Sequence, residues 1–227
     1  MTRNKLFLIF GLTAICCLGF YKFYFSPGRV QQRQVEFWNK RIKEFSNDIQ
    51  NGDIIFQTSL SGQSKAIQLA THSEYSHCGL IYKNGNDYFV FEAVQPVKKT
   101  PLDKWIARGE GGHFVIKRLK NADQVLTTGI LNKMNQAGNN FNGKDYDIYF
   151  DWSDEKIYCS ELIWKIYQRA TGLEIGKLEK LRDFDLTSEA VKQKMKERYG
   201  DKPPLDEIVI SPVSIFNSDL LTTVKTN

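Results

Sequence analysis

Four cysteines without a CxxC pair or regular spacing exclude a zinc ribbon and a disulfide scaffold, and six prolines and 16 glycines in 227 residues exclude collagen-like and linker-like chains. Histidine is scarce, at three residues, so any imidazole chemistry rests on single side chains. No repeat or low-complexity tract occurs. Acid is absent from the first 25 residues, where Arg3, Lys5 and Lys22 supply most of the net charge of +5. From Ser26 onward 28 basic residues face 26 acidic ones. Because these charges alternate in sign along the chain, they form no basic stripe, and nucleic acid is excluded as a partner.

What is present begins with an apolar run from Leu6 to Phe20, preceded by Arg3 and Lys5 and followed by the aromatic cluster Tyr21, Phe23, Tyr24 and Phe25. The run ends in Leu18, Gly19, Phe20 and Tyr21 rather than in the small residues of a cleavage site, so residues 1–25 read as an uncleaved signal anchor or a signal peptide. The remainder is then expected outside the cytoplasm, in the cell envelope. Residues 26–50 carry Val35, Trp38, Ile42 and Phe45 at helical spacing and are expected to form an amphipathic linker helix. The core domain is expected over 51–227.

Within it, Ile54–Gln57 reads as a strand, Ser64–Ala70 as a helix, and 113–119 as a further strand. Asp123 to Ala137 reads as one helix, and Ile157 to Ala170 as another that Gly172 ends. Two apolar runs, Ser76–Tyr82 and Asp87–Val94, flank Lys83-Asn84-Gly85-Asn86 and predict an antiparallel hairpin. A charged helix over Ser188–Arg198 and a short strand over Ile208–Ile210 complete an α+β pattern.

Three residues carry the chemistry. With Asn84-Gly85 central in a two-residue turn, His77 falls directly opposite Glu92, with Cβ atoms about 5 Å apart. A carboxylate there fixes the tautomer and orientation of the imidazole. Cys159 opens a predicted helix, where unpaired N–H groups and the helix dipole favour a thiolate and offer an oxyanion donor. A cluster of His72, Glu74, His77 and Cys78 matches no zinc spacing, and a Cys78–Cys159 disulfide would remove the nucleophile. Gln57 is a candidate second oxyanion donor by polarity alone.

The segments GDIIFQTSLSGQSKAIQLATHSEYSHCGLI, FVFEAVQPVKKTPLDKWIARG and YDIYFDWSDEKIYCSELIWKIYQ together resemble the circularly permuted papain-like hydrolases of the NlpC superfamily, YiiX-like branch. That resemblance implies a papain-like fold in which the His-bearing strands precede the Cys-bearing helix. It places the family's histidine on His77, its carboxylate on Glu92 and its nucleophile on Cys159, with no cofactor. It further implies a cysteine hydrolase acting on an amide, in cell-wall peptides or elsewhere, or on an acyl ester or thioester. The rival is a noncatalytic envelope module that binds lipid or peptide in the same cleft. Tyr75, Tyr146, Tyr149, Phe150 and Trp152 either line an acyl groove or fill the core.

Overall fold

The computed structural model describes residues 26–227, so the expected anchor over 1–25 lies outside the described residues. Among the described residues no helix is long and apolar enough to cross a membrane. Helix α1 (Pro27–Phe45) leads into β1 (Ile54–Gln57), α2 (Ser64–Thr71) and the hairpin of β2 (His77–Asn84) and β3 (Asp87–Glu92). Next come β4 (Lys98–Pro101), α3 (Leu102–Ala107), β5 (Val115–Leu119), α4 (Ala122–Val125), α5 (Thr128–Asn139) and α6 (Cys159–Thr171). The C-terminal part holds β6 (Glu179–Lys180), α7 (Glu189–Tyr199), β7 (Ile208–Val209), α8 (Pro212–Phe216) and β8 (Leu221–Thr226).

One antiparallel sheet, in the order β4-β3-β2-β1-β5-β8, organises the molecule, and β6 pairs with β7 in a separate ribbon. Strand β1 is central and buried along its whole length, as a continuous Ile-Ile-Phe run requires. Side chains alternate between two cores because the pleat has period two. Phe56, Cys78, Leu80 and Phe91 face α5 and α6 in one core. Ile55, Ile81 and Val90 face Trp38, Ile42 and Phe45 of α1 and Trp105 of α3 in the other. The apolar stripe of α6, Leu162, Ile163, Ile166 and Tyr167, is fully buried. At roughly 1.5–3 kcal/mol per large side chain, this burial fixes the helix whose first residue is Cys159. Gly172, at φ 77, closes that helix as expected.

Three expectations need correction. The helix expected over 123–137 is two helices, because Thr127 takes an extended conformation and caps α5 by accepting from the Ile130 N–H. The hairpin register is displaced by two residues. Asn84 pairs with Asp87 and Leu80 with Phe91, so Gly85 and Asn86 are the central turn residues. Of these, Gly85 alone has positive φ, which fits a glycine-first turn rather than one needing both central residues left-handed. Strands β4 and β8 and helix α3 were not anticipated, and β4 and α3 prove to matter most for the site.

Candidate active site

Because the register moves by two and not one, His77 and Glu92 keep the same face of the sheet but are not directly opposed. By continuation of the β2–β3 pairing, the residue opposite Glu92 is Gly79. A Cβ on Gly79 would lie 2.2 Å from Val90 Cγ1 and 3.5 Å from Glu92 Cβ. The missing side chain leaves the diagonal open, and His77 Nε2 meets Glu92 Oε2 at 2.7 Å.

Glu92 is fully buried and accepts from four donors. Thr100 Oγ1 of β4 donates to Oε1 at 2.6 Å, and Trp105 Nε1 of α3 donates to Oε2 at 2.9 Å. Arg108 Nη2, just past α3, completes the set with His77. Burial disfavours the carboxylate, but His77 and Arg108 outweigh it and hold the group down at about 2. The indole of Trp105 also stacks on the imidazole, with ring centroids 5.8 Å apart and planes 25° apart. Thr100, Trp105 and Arg108 were missed by sequence reasoning. The signal available was Leu102, Trp105 and Ile106 at helical spacing, beyond the short segment that follows the apolar strand ending in Glu92.

Cys159 is the first residue of α6 and is buried beside His77. The Cys78 side chain, the His77 ring and the Cys78 backbone N–H lie next to its sulfur. That N–H is spare because Leu80–Phe91 is the last pair of the β2–β3 ladder. Hydrogen bonding from the Cys78 thiol, with the His77 contact and charge, carries the Cys159 thiol well below its ordinary value against the opposing effect of burial. Burial pushes the Cys78 thiol well up. For His77 burial opposes the charge, yet the bonds to Cys159 and Glu92 prevail and raise the imidazole to about 9. Both directions favour a thiolate–imidazolium pair over a neutral thiol and imidazole. Cys78 and Cys159 are both free thiols, so the disulfide alternative does not hold in this structure.

The helix start is clamped from two sides. Glu161 Oε2 accepts from the Tyr158 N–H at 3.4 Å. Ser160 Oγ donates to the Ile210 carbonyl at 2.7 Å, and the Ile210 N–H donates to Tyr158 Oη at 3.0 Å. The C-terminal segment thus fixes the residues on either side of Cys159.

Two depressions meet at the pair. On the Cys159 side a narrow channel of about 100 Å³ runs between α2 and α7, walled mainly by Ala66, Ile67, Phe150, Leu181 and Val191. On the His77 side lies a broader cleft of about 760 Å³, bordered by Gln57, Ser59, Ala93 and Arg108. Tyr146, Gln63 and Lys194 border both. Of the five aromatics considered for a groove, Tyr146 and Phe150 line the channel. Tyr75 instead stacks on Phe216, Trp152 packs against Trp164, and Tyr149 lies against Tyr199. His72 is not part of the site; its ring is exposed and pairs with Asp185.

A sheet whose histidine strand precedes the cysteine helix, with both meeting at its end, defines a permuted papain-like protein. Residues 48–225 match the family described as permuted papain-like amidase enzyme, YaeF/YiiX, C92 family, and the chain belongs to that family. It is similar to the uncharacterised protein YiiX of Escherichia coli strain K12, with 49% identity over 183 residues, covering 81% of this chain and 89% of that protein. A crystal structure described as the metalloprotein YiiX from Escherichia coli O157:H7 superposes with a TM-score of 0.76 at 49% identity, covering 79% of this chain and 98% of the other. Metal is thus named for that relative. Here, among the described residues, no group of three or more His, Cys, Asp or Glu side chains is disposed to hold a metal ion. At the site itself, His77 Nε2 is taken up by Glu92, and the ring lies next to Cys159 on its other side.

Proposed function

We propose that the chain is a thiol hydrolase that cleaves an amide, or a related ester or thioester, in a substrate with an apolar acyl group. The observation that supports this reading is a Cys159 thiolate at a helix N-terminus, paired with an imidazole that Glu92 holds at 2.7 Å. The Cys159 sulfur attacks the carbonyl carbon, forming a C–S bond as the carbonyl electrons move to oxygen. The N–H of Cys159, at the start of α6, stabilises that oxyanion, and Gln57 in the cleft wall is our candidate for the second donor. Collapse breaks the C–N bond, and the His77 imidazolium gives its proton to the departing nitrogen. Now neutral, His77 takes a proton from water as the hydroxide oxygen attacks the thioester, which releases the carboxylic acid and restores the thiolate. Glu92 stays ionised throughout and orients His77.

The acyl group belongs in the apolar channel because that channel opens on Cys159, the atom to which the acyl carbon becomes bonded. We further read residues 1–25 as an anchor that holds this site at the extracytoplasmic face of a membrane. A broadly acylating activity probe is expected to label Cys159, located by mass spectrometry, and labelling should fall at least 100-fold in His77→Ala. In Cys159→Ala no probe should be bound while the fold, read by circular dichroism, is retained. Labelling that is independent of His77 would overturn the proposal and favour a noncatalytic binding module.

A further inference from the structure

The two depressions differ in electrical character, and the reaction assigns each a part of the substrate. The nitrogen that leaves must sit where His77 can protonate it, so the leaving group occupies the cleft on the His77 side while the acyl chain occupies the channel. This assignment rests on the hydrolase reading above. The charged side chains that border the His77-side cleft, apart from His77 itself, are Arg108 and Lys194, and neither Asp nor Glu borders it. The channel that joins it is bordered by Lys194 and Arg198, again without an acid.

The carboxylates that pair with Arg108 and Lys194 lie outside the cleft lining, so the lining presents the cations. Glu92 is fully buried behind Arg108 and shared among His77, Thr100, Trp105 and Arg108. Arg108 engages it through Nη2, and its side chain remains 30% exposed. Lys194 pairs with Glu197 one turn along α7, a partly exposed pair of a kind worth little and easily exchanged. Arg198 donates to Gln63 Oε1 at 2.6 Å and lies over the Phe150 ring, so it braces the channel wall rather than meeting the leaving group. Lys194 is the cation common to both depressions, and Arg108 stands beside His77 on the cleft side alone.

The geometry points to a substrate whose leaving group is anionic: an N-acyl or O-acyl amphiphile with a carboxylate or phosphate on the amine or alcohol portion, received by Lys194 and Arg108. Lys194 is thereby a specificity-determining residue. Arg108 combines that contact with the positioning of Glu92. A neutral leaving group would gain nothing from the cations that face the cleft, and a cationic one would be repelled.

Three decanoyl amides that differ only in the leaving amine test this: decanoyl-ethanolamine, decanoyl-β-alanine and decanoyl-phosphoethanolamine. Decanoate release by the intact protein is followed by mass spectrometry. A charge-assisted contact predicts a kcat/KM about 10-fold higher for an anionic amide than for the ethanolamine amide. The β-alanine and phosphoethanolamine arms separate carboxylate from phosphate recognition. In Lys194→Glu the anionic-to-neutral ratio is expected to fall to about one or below, and 0.5 M salt should reduce it in the wild type. Equal or faster cleavage of the neutral amide, or a ratio untouched by Lys194→Glu, overturns the inference.

Alkylation of Cys159 by iodoacetate and by iodoacetamide reads the same field without hydrolysis. The iodoacetate-to-iodoacetamide rate ratio should fall several-fold in Lys194→Glu. Failure to cleave all three amides, with that fall observed, counts against the acyl-amide reading while upholding the charge assignment. A constant alkylation ratio counts against the charge assignment itself.

Discussion

Glu92→Gln isolates the charge of the buried carboxylate from its shape. The substitution is isosteric, and the network can accept it: an amide oxygen in the Oε2 position still receives His77, Trp105 and Arg108. The amide NH2 then faces Thr100 Oγ1, and a hydroxyl can turn from donor to acceptor. What is lost is the charge assistance to the imidazolium, worth roughly 1.5–3 kcal/mol for such a bond, or about 1–2 pH units at 1.36 kcal/mol each. His77 should therefore titrate near 9 in the wild type and at about 7–8 in Glu92→Gln. With three histidines in the chain, the ring resonances can be followed individually by NMR and His77 assigned from His77→Asn. Cys159→Ala should lower the same titration, since the Cys159 contact is the leading stabiliser of the imidazolium. The linkage signs differ for the two partners. Glu92, lowered from 4.5 to about 2, contributes on the order of 3 kcal/mol above pH 4.5, and this is lost as pH falls through 2. His77, raised from 6.5 to about 9, contributes below pH 6.5, and this is lost as pH rises through 9. At neutral pH the Gln variant should melt roughly 10 °C lower, at about 2–4 °C per kcal/mol for a chain of this size. A wild-type His77 that titrates near 6.5, or a Gln variant that leaves it near 9, refutes the reasoning.

Gly79→Ala should cost about 1–3 kcal/mol, because its Cβ would meet Val90 Cγ1 at 2.2 Å and the Phe91 carbonyl at 3.1 Å. Thermal unfolding measures this cost, and Gly79→Ala combined with Val90→Ala should recover part of it; no recovery would mean the clash lies elsewhere. Trp38→Ala should lower stability by about 3–5 kcal/mol, since the indole is buried against Phe114 with centroids 5.7 Å apart. Urea denaturation with an unchanged midpoint would show that α1 is not part of the cooperative unit.

The elements with strong periodicity were legible before the structure: the Cys159 helix with its Gly172 stop, the paired runs of the hairpin, and the amphipathic first helix. The pairing of His77 with Glu92 was reached from a register that is wrong by two residues. It survived because an even displacement preserves the face, and because Gly79 leaves the diagonal unobstructed. The other donors to Glu92 were not legible, since Lys98–Pro101 is short, charged and ends in proline, and strand pairing there is decided by its neighbour β3. Nor could the spare Cys78 N–H be read from a sequence. It follows from where one ladder stops, which is a property of three-dimensional pairing.

His77 and Cys78 are adjacent in the chain yet turn toward opposite cores, the first toward Trp105 and the second toward the layer of α6. The imidazole half of the reactive pair therefore depends on one packed layer and the thiolate half on the other. On the proposed hydrolase reading the arrangement is a coincidence circuit, since the contacts that lower the Cys159 thiol require both layers to be docked. Thiol reactivity at Cys159 is then expected to report assembly of both halves of the molecule.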